Sequence, residues 1–340
     1  MGNRTIIYSM GVVAAMALTF QSCKPKINEI DNNQVISKPY SLYVGDSSGT
    51  ILNTNEGFNY KYVVFNGGIP TTSIITAGNN ILFYQRNLHI IENSLTGNNS
   101  NPTYTDVGFG FEQSIMHYWA RYKRVYVISA LGKGMVYNDD FGEVNKWRPV
   151  TDENVPAGTQ ITSFTELKSG KLIALDNFNK ETFRLSDPGQ QWQKTTGGTK
   201  LPAGLFYLTH KENTVIAVDY SGQAGAFYST DDGTTWNAYA GLPAGEPLYC
   251  ANAPFDQTVL IGTASKGIYR LKLGETNFEP ASIGLTQNMT VRAIVGKEDY
   301  YKNGISKRYI YAATSKGIFR SEDFGDNWVI VKEGNFVSAY

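Results

Sequence analysis

Three features of the sequence predict an all-β fold: a seven-bladed β-propeller of four-stranded antiparallel blades. First, an aromatic residue recurs at Tyr60, Tyr104, Trp147, Trp192, Trp236, Phe278 and Trp328, at intervals of about 42 to 50 residues. Second, five of these aromatics end a Ser-x-Asp-x-Gly-x-x-Trp stretch or a worn copy of it. Third, short apolar runs bounded by Gly, Asn and Asp fill the space between them, and helical periodicity is hard to find. Four strands repeated at that period describe a propeller, because each copy must stack on its neighbours to bury its faces.

The first 39 residues read differently from the rest. Arg4 is a short basic start, residues 6–20 are largely apolar, and Phe20-Gln21-Ser22-Cys23 follows. An apolar core of this length with small residues at its end is a secretory signal, too short and wrongly flanked for a membrane span. Cys23 resembles the cysteine of a bacterial lipobox, of the looser kind found in Bacteroidetes-type lipoproteins. Phe20 and Gln21 stand where the commonest lipobox has Leu and a small residue. The resemblance implies that residues 1–22 are a lipoprotein signal peptide and that Cys23 is lipidated. Residues 23–39, polar with Pro25 and Pro39, read as a tether. Cys250 is then left without a partner, so the mature chain is held by its core rather than by a disulfide.

The propeller is expected over residues 40–340. In each copy a run such as Leu172-Ile-Ala-Leu175 or Val215-Ile-Ala-Val218 is followed by a turn, a second run and the aromatic-ended stretch. Most copies are preceded by one more strand and a hairpin, clearest at residues 161–171. The first copy lacks that leading strand, and the last residues, 335–340, match it. If the C-terminal segment supplies the strand, the ring closes and no sheet edge is left open.

The aromatic-ended stretch makes sense as a hairpin connection. Ser229 and Asp231 carry short oxygen side chains suited to bonding backbone N–H groups in a tight turn. Gly233 supplies backbone freedom, and Trp236 packs back over the turn. Ser321, Asp323, Gly325 and Trp328 repeat the set. Asp187, Gly189 and Trp192 keep most of it, and Asp140 and Gly142 keep the turn but reach Trp147 two residues late. All fourteen residues are read as structural. These stretches resemble the Asp-box, or bacterial neuraminidase, repeat of sialidases, sortilin-type receptors, xyloglucan-active hydrolases and photosystem II assembly-factor-like propellers. The resemblance spans residues 40–340 and is specific for fold. In those families the boxes lie on the periphery, away from the ligand.

Chemistry is harder to find. The sialidase resemblance implies an Arg-Ile-Pro motif, but here the triplet is Gly68-Ile69-Pro70, and glycine cannot replace an arginine fork on a carboxylate. Another glycosidase needs two carboxylates about 5–10 Å apart, a distance the sequence leaves open. Gly45-Asp46-Ser47-Ser48-Gly49 matches Gly-x-Ser-x-Gly, but it joins two strands rather than a strand and a helix. His89, His117 and His210 lie in different copies without zinc spacing. No metal or cofactor is expected. Lys+Arg and Asp+Glu number 30 each, which excludes a general nucleic-acid field.

What remains is one end of the ring. The turns between second and third strands carry Asp46, Arg86, Lys133, Lys180, Asp219, Lys266 and Lys316, five of them basic. Phe109 and Phe111 add aromatics from a loop between copies. Lys-Gly also suits any exposed turn, so the same residues fit a plain structural role. The expectation is a non-catalytic, lipid-anchored envelope protein, of the outer membrane and facing either the periplasm or the surface. Its propeller face binds a protein or glycan, with Lys133, Lys266 and Lys316 favouring an acidic ligand. The alternative is a glycoside hydrolase of the Asp-box superfamily, which requires a carboxylate pair in a deep pocket.

Overall fold

The computed structural model describes residues 42–54, 61–64, 68–92, 105–106, 114–129, 134–150, 155–300 and 304–340. The signal, the tether, Cys23, Lys133, Phe109 and Phe111 lie outside the described residues. The chain divides into two compact units: Pro39–Glu298 with Arg308–Tyr340, and Met1–Lys38 with Asp299–Lys307. The first is the propeller. Of the second, the described residues are the ends of two long strands, Val291–Tyr300 and Ser306–Thr314.

Seven four-stranded antiparallel sheets are present, as the spacing predicts. We number the blades in chain order of their aromatic-ended turns. Blade 4 is typical. Its leading strand Ser163–Glu166 pairs with Leu172–Asp176, then Glu181–Leu185, then Gln193–Lys194. The second strand of a blade is covered on both faces by neighbouring blades. That is why Asn80–Tyr84, Arg124–Ser129, Leu172–Asp176 and Val259–Thr263 are buried at every position and read as nearly unbroken apolar runs. The outer strands of blades 2 to 6 are two residues long, and Arg148–Pro149 and Glu279–Pro280 end in proline. Short strands and proline leave little edge for another chain to pair with.

The ring closes as expected. Phe336–Ala339 is the leading strand of blade 1 and pairs with Leu42–Asp46. Tyr43 and Tyr340 exchange both backbone bonds at 2.9 Å. Gly45 is required here, since a Cβ would lie 2.5 Å from Ser338 Oγ and 2.7 Å from Thr71 Cβ. The Gly-x-Ser-x-Gly pentapeptide is therefore a turn, with Asp46 Oδ1 accepting from the backbone of Ser48 and Thr50.

The aromatic-ended turns of blades 3, 5 and 7 each pack on the blade before, through Gly142 on Leu82, Gly233 on Thr182 and Gly325 on Leu260. Ser229 Oγ donates to Asp231 Oδ1 at 2.7 Å and accepts from Gly233 N at 2.9 Å, and Asp231 Oδ1 accepts from Thr235 N. Ser321, Asp323 and Gly325 repeat this geometry. In blade 3 Asn138 takes the serine's place and accepts from Asp140 N and Gly142 N. Gly233 has φ +83, and a Cβ on it would strike Thr182 of blade 4 at 2.4 Å. Trp192, Trp236 and Trp328 are buried, and Trp328 donates to Ala281 O. Burial alone would raise the carboxyls of Asp231 and Asp323, but their hydrogen bonds outweigh it and hold both below the usual range.

Candidate functional site

Leading strands and second-to-third turns meet at one end of the ring. Around the axis there lies a cavity of about 930 Å³. Its walls come from nearly every blade. Ile115, Phe164, Tyr207, Tyr249 and Arg292 are each the second residue of a leading strand, in blades 3 to 7. Tyr84, Gln85 and Arg86 come from blade 2, Tyr220 from blade 5, and Ile69, Pro70 and Thr72 from the connection into blade 2. The mouth is thus aromatic, with two arginines. No aspartate or glutamate is among its described lining residues. Arg86 and Arg292 are exposed and form no ion pair among the described residues.

Buried polar groups fix the turns around the mouth. Asp219 is fully buried, and its carboxylate accepts from the backbone of Leu205, Ser221, Gln223 and Ala224. Burial would raise this carboxyl, but the bonds from Ser221, Leu205 and Ala224 together hold it low. In blade 4 the buried Asp176 fixes the matching turn, accepting from the backbone of Gln160, Phe178 and Asn179. In blade 2, Gln85 Nε2 donates to Gly49 O and Thr71 Oγ1, both at 2.8 Å. Asp46 and Asp219 are thus turn-builders rather than part of a charged rim.

The predicted basic residues separate. Arg86 lines the mouth. Lys180 is half-buried, donates to Gly204 O and sits 5.5 Å over the Phe206 ring; burial lowers its pKa. Lys266 and Lys316 are exposed at their turns and do not line the mouth. Their Lys-Gly frame has a backbone cause: Thr263 and Thr314 accept from the lysine N–H and donate to the glycine carbonyl. The residues that sequence reasoning missed are Tyr84, Phe164, Tyr207, Tyr220, Tyr249 and Arg292.

One to three residues further along the leading strands of blades 3 to 5 stand polar groups. His117 Nε2 lies 3.4 Å from Glu166 Oε2, and His210 Nδ1 is 2.9 Å from Thr165 Oγ1. Glu166 and Asp256 both act electrostatically on His210. No group of three or more His, Cys, Asp or Glu able to hold a metal is found among the described residues. Cys250 is buried, and its thiol is pushed up to about 12 by that burial, so it is unreactive.

Residues 111–273 match the family model of the DUF6242 β-propeller domain. No curated protein matches the chain. Among solved structures it is similar to YCF48 bound to D1 peptide, at 10% identity and TM-score 0.51, over 82% of this chain and 92% of that one. It is similar to PorZ, a surface component of the type-IX secretion system of Porphyromonas gingivalis, at 13% identity and TM-score 0.53, over 88% of this chain and 37% of that one. A virginiamycin B lyase from Staphylococcus aureus with quinupristin matches at 13% identity and TM-score 0.56, over 84% and 87%. At these identities the likeness is one of fold.

Proposed function

We propose that this chain is a non-catalytic binding module that takes an acidic segment of a protein partner at the mouth of its propeller. The observation that carries the reading is the composition of the mouth. It has aromatic walls, two unpaired arginines and no lining carboxylate among the described residues. Aromatic side chains supply contact area at low entropic cost, and arginine is the residue suited to gripping a carboxylate. Glycoside hydrolysis would need a facing pair of carboxylates, and none is among the described residues that line the mouth. Two propellers of similar fold are described as bound to a peptide, in YCF48, and as a secretion-system surface component, in PorZ. Cys23 would anchor the module to an envelope membrane through lipid, with residues 24–39 as a leash.

The test is titration of the full-length protein with poly-L-glutamate, with poly-L-lysine as control. Saturable binding to the polyanion should weaken as salt rises. It should fall further in the Arg86→Gln/Arg292→Gln double variant at unchanged melting temperature. Release of reducing ends from anionic glycans, or binding indifferent to both salt and the double substitution, would defeat the reading.

A further inference from the structure

The mouth is not evenly furnished. Arg86 and Arg292 belong to blades 2 and 7, which flank blade 1. Across the axis from blade 1, blades 4 and 5 expose large apolar groups on the same end, Phe178 at 57% and Leu205 at 41%, and Tyr249, 45% exposed, stands in blade 6 beside blade 7. These three are continuous with the mouth. Leu205 N donates to Asp219 Oδ1, and Tyr220 N, from a mouth residue, donates to Leu205 O at 2.9 Å. Phe178 follows Asn177, whose carboxamide bonds both backbone groups of Phe206, at 2.6 and 2.8 Å. Asn177 and Asp219 are buried, so the apolar shelf is held in place before any partner arrives. Preorganised apolar groups lose little entropy on binding. Isolated exposed hydrophobics need no explanation, but a fixed shelf beside an open aromatic cavity marks an interaction site.

We infer that mouth and shelf together recognise an extended peptide with an acidic residue on one side and apolar residues on the other. The acidic side chain is met by Arg86 and Arg292. The chain then crosses the cavity and lays its apolar side chains over Tyr249, Tyr220, Leu205 and Phe178. Three to five residues of extended chain reach roughly 10–18 Å, and that is the acid-to-apolar spacing we assign to the ligand. A polyanionic glycan would use the arginines but leave the shelf uncovered, so the shelf favours a peptide. The inference rests on the binding-module reading and narrows it to one ligand pattern.

A random dodecapeptide display library selected on the full-length protein tests it. Enriched peptides are then measured by fluorescence anisotropy on wild type, Arg86→Gln/Arg292→Gln and Phe178→Ser/Leu205→Ser. The expected peptides carry Asp or Glu with a Phe, Leu, Ile or Trp three to five residues away. Each double variant should weaken them by about tenfold or more, as for losing charge-assisted bonds or a buried apolar anchor. The salt dependence should survive in the shelf variant and vanish in the arginine variant. Enriched peptides that lack the acid–apolar pattern, or that bind both variants as wild type, would overturn this inference while leaving a peptide-binding module standing. If no peptide is enriched but poly-L-glutamate or polygalacturonate binds through the arginines, the shelf has no role and the inference fails. If nothing binds at all, the binding-module reading falls with it.

Discussion

Phe336→Ala tests the ring closure on which the mouth depends. The Phe336 side chain is 2% exposed and packs with Leu42, Val44 and Tyr311 between blades 1 and 7. Truncating a buried phenylalanine costs about 3–5 kcal/mol, through lost transfer energy and the cavity left behind. Deleting residues 335–340 removes more. The paired backbone bonds of Tyr43 and Tyr340 go, as do those of Ser47 N to Asn335 O and Ser338 Oγ to Thr71 O. At about 1 kcal/mol net for each of these four bonds, the deletion costs about 7–9 kcal/mol, comparable with the whole net stability of a domain. It also exposes Leu42–Asp46 as an unpaired edge. Thr71 anchors Gln85 at the mouth, so closure and site fail together. Urea denaturation followed by tryptophan fluorescence should show a clearly lower midpoint for Phe336→Ala, and size exclusion should show aggregates for the deletion. A deletion variant that stays monomeric with the wild-type midpoint would refute the closure argument.

Trp236→Ala should cost on the order of 3–5 kcal/mol, because the ring is 5% exposed and packs on Leu175 and Leu201 of the preceding blade and its linker; a wild-type denaturation midpoint would sink the packing account. Burial lowers the pKa of His210 below its ordinary 6.5, with His117 adding to the effect and Asp256 and Glu166 opposing it. The unfolded chain therefore binds the proton more readily, and this contribution to stability is present above about pH 6.5 and lost as pH falls through the folded value. Melting temperatures should drop in that window for wild type and change less for His210→Gln; parallel curves would contradict the assignment. Cys23→Ser should abolish incorporation of a labelled fatty acid, and an unlabelled wild type would remove the lipid anchor from the proposal.

The blade count and the closing strand were legible because they rest on repetition. Tyr43 to Tyr340 pairing could be foreseen from one copy lacking a strand that the C-terminus had to spare. The turn chemistry of Ser229, Asp231 and Gly233 was legible for the same reason: local bonds leave local patterns. The mouth was not, since Phe164, Tyr207, Tyr249 and Arg292 stand in separate blades and meet only around the axis. One signal was available. With the copies stacked, these residues fall in one column, the second position of the leading strand, as does Ile115. Charge at the turn tips drew attention to the end of the ring where the cavity opens, while Lys266 and Lys316 stand outside its lining. Asp219 and Lys180 look like surface charges in sequence, yet one is fully buried and the other is turned inward. Trp119, which is not one of the recurring aromatics, is core, with its indole N–H on Gly170 O of the next blade.

The most direct test of the central claim, that the mouth is the binding surface, is photo-crosslinking from two opposite ends of the ring. A photoreactive phenylalanine replaces Tyr249 at the mouth in one variant and Ser169, exposed in a first-to-second-strand turn at the other end, in a second. Both are irradiated with a biotinylated peptide carrying glutamate and phenylalanine four residues apart. The account predicts an adduct from position 249 that unlabelled peptide competes away and that the Arg86→Gln/Arg292→Gln background diminishes, with none from position 169. Equal labelling from the two ends, or labelling from position 169 alone, would contradict it.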